Sequence, residues 1–352
     1  MRAALLNHEG SYLSNLFDLL QYRIAGIWHI LPKTVYGRLK GNFLKNDKEA
    51  LKMLMDDELA NTSTPIMLYC HGKCPLYFTS RLLTVRVMWF SLGNTLVILL
   101  TCNSNSRAAH HRIELYKFFQ EMEFHTIAFD YRGYGDSTNL APSEAGVVED
   151  SLTVYAWLHD ITGRTDRRPA LFVWGHSLGT GISSHLLGNL AALSRRLRDS
   201  EPPPPPNGLI LEAPFNNLAD EVAKHPLSRL VTWLPYYEAM FVRPFVSAPE
   251  HSFRSDEHLA RARGVPVLIL HAKDDVVVPF VVGVKLYRAI VASRGVGDAP
   301  VAMHAYESSL RLGHKDICRA PDLPEVVGSV SHMYCTLLGV ANRDTGYQCR
   351  RL

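Results

Sequence analysis

The sequence has few cysteines, and none are arranged to hold a metal or staple a small fold. Cys70, Cys74, Cys102, Cys318, Cys335 and Cys349 are all there are in 352 residues. Cys70 and Cys74 lie four apart, but no second pair and no pair of histidines nearby completes the ligand set of a structural zinc site. No metal and no cofactor are expected. An excess of one charge is missing as well: 37 Lys and Arg stand against 34 Asp and Glu, for a net charge of +3. That balance is too weak to argue for a nucleic-acid partner. Val87 to Ser106 carries no charged residue, yet Gly93, Asn94 and a polar tail keep it below the ~18 consecutive apolar residues of a spanning helix. Met1 to Leu20 is broken by Asn7, His8 and Glu9, so no signal peptide is readable.

Hydrophobic residues make up 47% of the chain and charged residues 20%, which suits a large buried core and excludes a disordered or coiled-coil chain. Ile66 to His71, Thr126 to Asp130, Leu171 to Gly175, Leu209 to Glu212, Val267 to His271 and Val301 to Tyr306 are short, branched or aromatic, and bounded by Gly, Pro or polar clusters. They read as buried strands. Arg112 to Met122, Ser143 to His159, Leu178 to Arg198, Pro279 to Ala292 and Leu323 to Leu338 have the spacing of helices. The alternation predicts an α/β fold with a mostly parallel sheet covered on both faces. The run Pro202 to Pro206 predicts a stiff surface connector. The aromatic stretch Pro214 to Gly264 reads as a cap over the sheet. The expected organisation is an N-terminal segment (1–64), one catalytic domain (65–340) with the cap at 214–264, and a tail (341–352).

The chemistry begins at Gly175-His176-Ser177-Leu178-Gly179, a G-x-S-x-G match running from a strand straight into a helix. Such a turn holds a serine in strained backbone, with small residues two positions either side so that strand and helix can meet. Ser177 is the candidate nucleophile, and the N–H of Leu178 the candidate donor to a developing oxyanion. A serine needs an acid and then a histidine later in the chain. Asp274 and Asp275 follow a strand; the position four before Pro279 selects Asp275 and leaves Asp274 as a solvated turn residue. His314, in a Gly-His loop after the last strand, is the candidate base. His271, His304 and His332 read as packed residues.

Gly26-Ile27-Trp28-His29, Leu68 to Gly72, Phe129 to Ser137, Trp174 to Gly181, Leu211 to Asn217, Lys224-His225-Pro226, Leu270 to Phe280 and Gly313-His314-Lys315 run in order along the chain. With these stretches the sequence resembles the α/β-hydrolase-domain serine hydrolases, and among them the lysophosphatidylserine lipase and monoacylglycerol lipase branch. The resemblance implies the α/β-hydrolase fold with an inserted cap. It also implies hydrolysis of a lysophospholipid or monoacylglycerol ester by Ser177, His314 and Asp275 through an acyl-enzyme. By the same resemblance a lipid ester is the expected substrate partner, with peripheral membrane association at the endoplasmic reticulum; the family's membrane-spanning N-terminal segment has no counterpart in this sequence. An acyl-protein thioesterase, or a catalytically impaired lipid-binding relative, is the alternative.

One departure touches the oxyanion hole. In the family a strand ends in His-Gly-Asn; here His71-Gly72 is followed by Lys73 to Cys102, thirty residues, before Asn103-Ser104-Asn105-Ser106 resumes the pattern. The insert reads as a membrane-dipping or substrate-entry element, as part of an enlarged cap, or as translated intron sequence. The second oxyanion donor is accordingly Lys73, or Asn103 where the insert is absent. Asn61-Thr62-Ser63 matches the glycosylation triplet.

Overall fold

Apolar runs become buried strands where helices cover a sheet on both sides. The computed structural model describes residues 22–24, 27–39, 48–71, 112–134, 137–138, 140, 142–164, 169–198, 201–220 and 252–328. Six strands fall where the apolar runs predict them: β3 (Ile66–Cys70), β4 (His125–Phe129), β5 (Leu171–His176), β6 (Gly208–Glu212), β7 (Val267–Ala272) and β8 (Val301–Tyr306). They pair in parallel as β4-β3-β5-β6-β7-β8. Two further strands, β1 (Tyr22–Ile24) and β2 (Ile27–Ile30), extend the sheet beyond β4 and are antiparallel. They lie before residue 65 and join the same eight-stranded sheet.

Alternate side chains of each strand enter opposite core layers, as the two-residue period requires. Leu68, Ile127, Val173, Leu211 and Ile269 enter the layer shared with α4 (Glu144–Thr162), α5 (Leu178–Gly188) and α8 (Phe280–Ser293). Met67, Tyr69, Phe172, Trp174, Ile210 and Leu268 enter the layer shared with α3 (Ile113–Glu121) and with residues 312–327. Two earlier helices, α1 (Lys33–Leu39) and α2 (Lys48–Asn61), precede β3. The Ser143 hydroxyl starts α4 by accepting the Gly146 N–H at 3.1 Å.

Leu178 to Arg198, expected as one helix, is two: α5 ends at Gly188 and α6 (Leu190–Arg198) begins after Asn189. The break follows from packing. α7 (Ser255–Leu259) passes so close that a Cβ on Gly188 would lie 2.3 Å from the His258 carbonyl oxygen, and the Asn189 side chain caps the helix by donating to the His185 carbonyl at 2.9 Å. The proline connector is less superficial than expected. Pro203 and Pro206 are buried, and the Tyr155 hydroxyl donates to the Pro204 carbonyl at 2.6 Å. The insert 73–102, the central part of the expected cap (221–251) and the tail 341–352 lie outside the described residues. Among the described residues no helix is long and apolar enough to cross a membrane.

Candidate active site

Ser177 caps α5 immediately after β5, with φ 53° and ψ −119°. A non-glycine residue held there stores about 1–3 kcal/mol of strain. The surroundings impose it. The Ser177 N–H donates to the Glu212 carbonyl at 3.0 Å, and its carbonyl accepts from the N–H and the hydroxyl of Thr180 at 2.9 and 2.6 Å. Both flanking glycines are sterically required: a Cβ on Gly175 would lie 2.6 Å from the Gly179 carbonyl, and one on Gly179 would lie 2.0 Å from the Cys70 carbonyl. The second approach shows that the end of β3 runs against the start of α5. Leu178, the first residue of α5, presents an N–H that the helix itself does not use.

Asp275 lies in the turn after β7 and is buried. Its Oδ1 accepts the N–H groups of Val277 and Val278 at 2.8 and 2.9 Å, and its Oδ2 faces His314 Nδ1 at 2.8 Å. Burial by itself would raise the carboxyl, but its contacts with His271 and His314 outweigh this and hold it well below the usual carboxylate range. The carboxylate is therefore charged and the imidazole oriented.

Two residues outside the expected set complete this arrangement. His271, read from the sequence as a packed strand residue, is indeed fully buried, but its Nε2 donates to the Val278 carbonyl at 3.0 Å and lies 3.6 Å from Asp275 Oδ2. Asp274 is more than a solvated turn residue: both of its carboxylate oxygens accept the Gly313 N–H at 3.1 Å. Gly313 has φ +52°, the left-handed backbone that glycine adopts cheaply, and the next residue is His314.

The structure brings Asp275 and His314 into direct contact and sets His314 against the serine turn. The rings of His314 and His176 are 4.8 Å apart, and His176 precedes Ser177. Lys73 and Asn103 lie outside the described residues, as does His332. His304, expected as packed, is half-buried and pairs with Asp322 at 3.0 Å. Asn61, of the glycosylation triplet, turns its side-chain amide back onto the Asp57 carbonyl and carboxylate at 3.0 and 2.9 Å.

Glu144, His185 and His258 are close enough together to be weighed as a metal site. The hydrogen bonding argues for another role. Asn189 and Arg261 both point nitrogens at His258 Nδ1, at 2.9 and 2.6 Å, so that atom accepts and Nε2 carries the hydrogen. A ring protonated at the atom facing Glu144 is not offering a lone pair there. Glu144 instead accepts from His185 Nδ1 at 2.6 Å and from the Phe253 N–H at 2.9 Å. The group fastens the segment entering α7 onto α4 and α5.

The chain is similar to known proteins in sequence. A family described as Serine aminopeptidase, S33 (Hydrolase_4) matches residues 106–240. Lysophosphatidylserine lipase ABHD12 of Rattus norvegicus is 35% identical over 322 residues, covering 92% of this chain and 66% of that protein. The Danio rerio protein of the same name is 39% identical over 302 residues, covering 86% of this chain and 65% of its own length. This chain thus spans slightly less than two thirds of the relatives it matches. A solved structure from Thermus thermophilus superposes with a TM-score of 0.49 and 16% identity, over 89% of this chain and 96% of that one.

Proposed function

Since the chain belongs to the α/β-hydrolase-domain serine hydrolases, in their lysophosphatidylserine lipase branch, we propose that it cleaves the carboxylic ester of a lysophospholipid of the lysophosphatidylserine kind, or of a monoacylglycerol, through an acyl-enzyme. The observation that carries this reading is the 2.8 Å pair of His314 and Asp275 set beside a strained serine turn.

Each residue has one task. The Ser177 hydroxyl attacks the ester carbonyl while His314 takes its proton, and Asp275 stabilises the imidazolium that forms. The Leu178 N–H donates to the developing oxyanion, with a second donor from Lys73, or from Asn103 in a chain without the insert. Collapse of the tetrahedral intermediate expels the glycerol-side alcohol, which receives its proton from His314. Water activated by the same imidazole then attacks the acyl-serine and releases the fatty acid and the free hydroxyl of Ser177. Membrane association at the endoplasmic reticulum is part of the proposal and rests on the relatives alone.

A fluorophosphonate probe tests the nucleophile. Labelling of the wild-type protein that disappears in Ser177→Ala is the expected result. A folded wild-type chain that takes up no probe would replace the enzyme reading with that of a lipid-binding relative. Profiling a lipid extract with active protein then identifies the head group and acyl chain.

A further inference from the structure

The loop that carries His314 is held at three consecutive residues by side chains from other elements. The N–H of Gly313 goes to Asp274 at 3.1 Å. The carbonyl of His314 faces His176 Nε2 at 2.9 Å, and the carbonyl of Lys315 accepts from Arg112 Nη1 at 3.1 Å. Because a carbonyl only accepts, His176 Nε2 is the donor and its ring is the Nε2–H tautomer. Burial and the neighbouring Arg112 guanidinium keep this imidazole neutral, pushing its pKa well below the ordinary value. The guanidinium is fixed in turn by Glu212, whose carboxylate accepts from Arg112 Nη2 at 2.6 and 2.7 Å and from Trp174 Nε1 at 2.9 Å. Glu212 is fully buried, and its backbone carbonyl is the acceptor for the Ser177 N–H.

We propose that His176, Arg112 and Glu212 form a positioning clamp that docks the base-bearing loop onto the nucleophile turn. One residue, Glu212, holds the serine backbone through its main chain and the histidine loop through its side chain and Arg112. His176 adds a direct tie between the positions that flank the reaction, through the backbone of His314, and its ring also lies against the His314 ring, 4.8 Å between centroids. A displacement of about 1 Å between nucleophile and base costs ~10²-fold in rate, so the clamp acts on turnover and leaves the binding of the lipid unchanged.

The consequence for rate rests on the esterase reading; the tie itself does not, and two readouts separate them. His176→Phe keeps the ring volume and removes the donor, while His176→Gln replaces the donor at a similar reach. In His176→Phe, kcat falls roughly 10- to 100-fold with KM unchanged within about twofold, and His176→Gln recovers most of the loss. Hydrogen exchange across residues 308–316 is faster in the Phe variant than in the wild type or the Gln variant, with exchange in β5 and β7 unaltered. Equal turnover in the Phe variant and the wild type, equal loss in the Phe and Gln variants, or unchanged exchange in 308–316 would each overturn the clamp. Faster exchange in His176→Phe than in the wild type, where the wild type neither labels nor turns over substrate, keeps the clamp and overturns the esterase.

Discussion

At the scale of single residues, the strongest constraint falls on Asp275, which spends Oδ1 on two backbone N–H groups and leaves Oδ2 to His314. Asn in its place keeps the shape and loses the charge that stabilises an imidazolium. Asp275→Asn should lower kcat by about 10³- to 10⁴-fold while the protein still folds, measured as ester turnover beside a thermal melt; a loss below tenfold would remove Asp275 from its role. That Asp275 is the carboxylate that meets His314 was legible because its distance from Pro279 is a local pattern. The parts played by its neighbours were not. His271 lies in a run of apolar residues, where any histidine reads as filling, and only the fold of the following turn brings Asp275 back over its ring. Asp274 binds a residue 39 positions away, a partner that no local pattern announces.

At the scale of elements, the cluster of Glu144, His185 and His258 joins three helices that are distant in the chain. Burial alone would raise the Glu144 carboxyl, but hydrogen bonds from His185 and the Phe253 N–H, with His258 3.8 Å away, reverse this and bring it down to about 2. A carboxyl depressed by folding contributes stability that is complete above its unfolded value of 4.5 and is lost as the pH falls toward 2. His258 acts in the same direction. Its pKa lies below 6.5, chiefly through burial, with the His185 and Arg261 sides opposing charge and Glu144 favouring it, so protonation below pH 6.5 also favours the unfolded chain. Melting temperature should therefore decline on acidification, gently below pH 6.5 and steeply below 4.5. Glu144→Gln should melt lower than wild type at pH 7 and show a flatter profile below 4.5; parallel profiles would show that the carboxylate is not the titrating element. The sequence revealed α4 and the span of α5, but neither α7, which lies in the stretch read as a cap, nor the break at Asn189. Leu190, Leu193 and Leu197 continue the apolar spacing across it, and the cause is the approach of α7 from about seventy residues downstream.

At the scale of the whole molecule, the six parallel strands were legible as short apolar runs; five are buried throughout, whereas β8, also expected to be buried, is half-buried from Val301 to Ala305 because it is the last strand of the described sheet. β1 and β2 were not legible. They are three and four residues long; β2 is placed by antiparallel pairing with β4, about a hundred residues later, and β1 by pairing with β2. The insert 73–102 is the larger question at this scale. It leaves the chain one residue beyond His71, where the Cys70 carbonyl already crowds Gly179 and where the oxyanion donor belongs. Removing it joins His71-Gly72 to Asn103 and restores the family pattern. Mature transcripts in which codon 72 joins codon 103 are the expected finding, and a message pool that always carries the segment would defeat the reading of it as translated intron sequence. A chain lacking residues 73–102 should label with fluorophosphonate at least as fast as the full chain.

The order of the sheet has a bearing on how such an enzyme is born. The proposed nucleophile follows a central strand, while its two proposed activating partners follow β7 and β8, the last strands of the sheet. A ribosome releases the serine first and the imidazole more than a hundred residues afterwards, so the nascent polypeptide passes its early life with an inert hydroxyl. On the proposed mechanism, competence arrives only when the terminal strand docks, which would spare the translating cell an esterase let loose before it has finished folding.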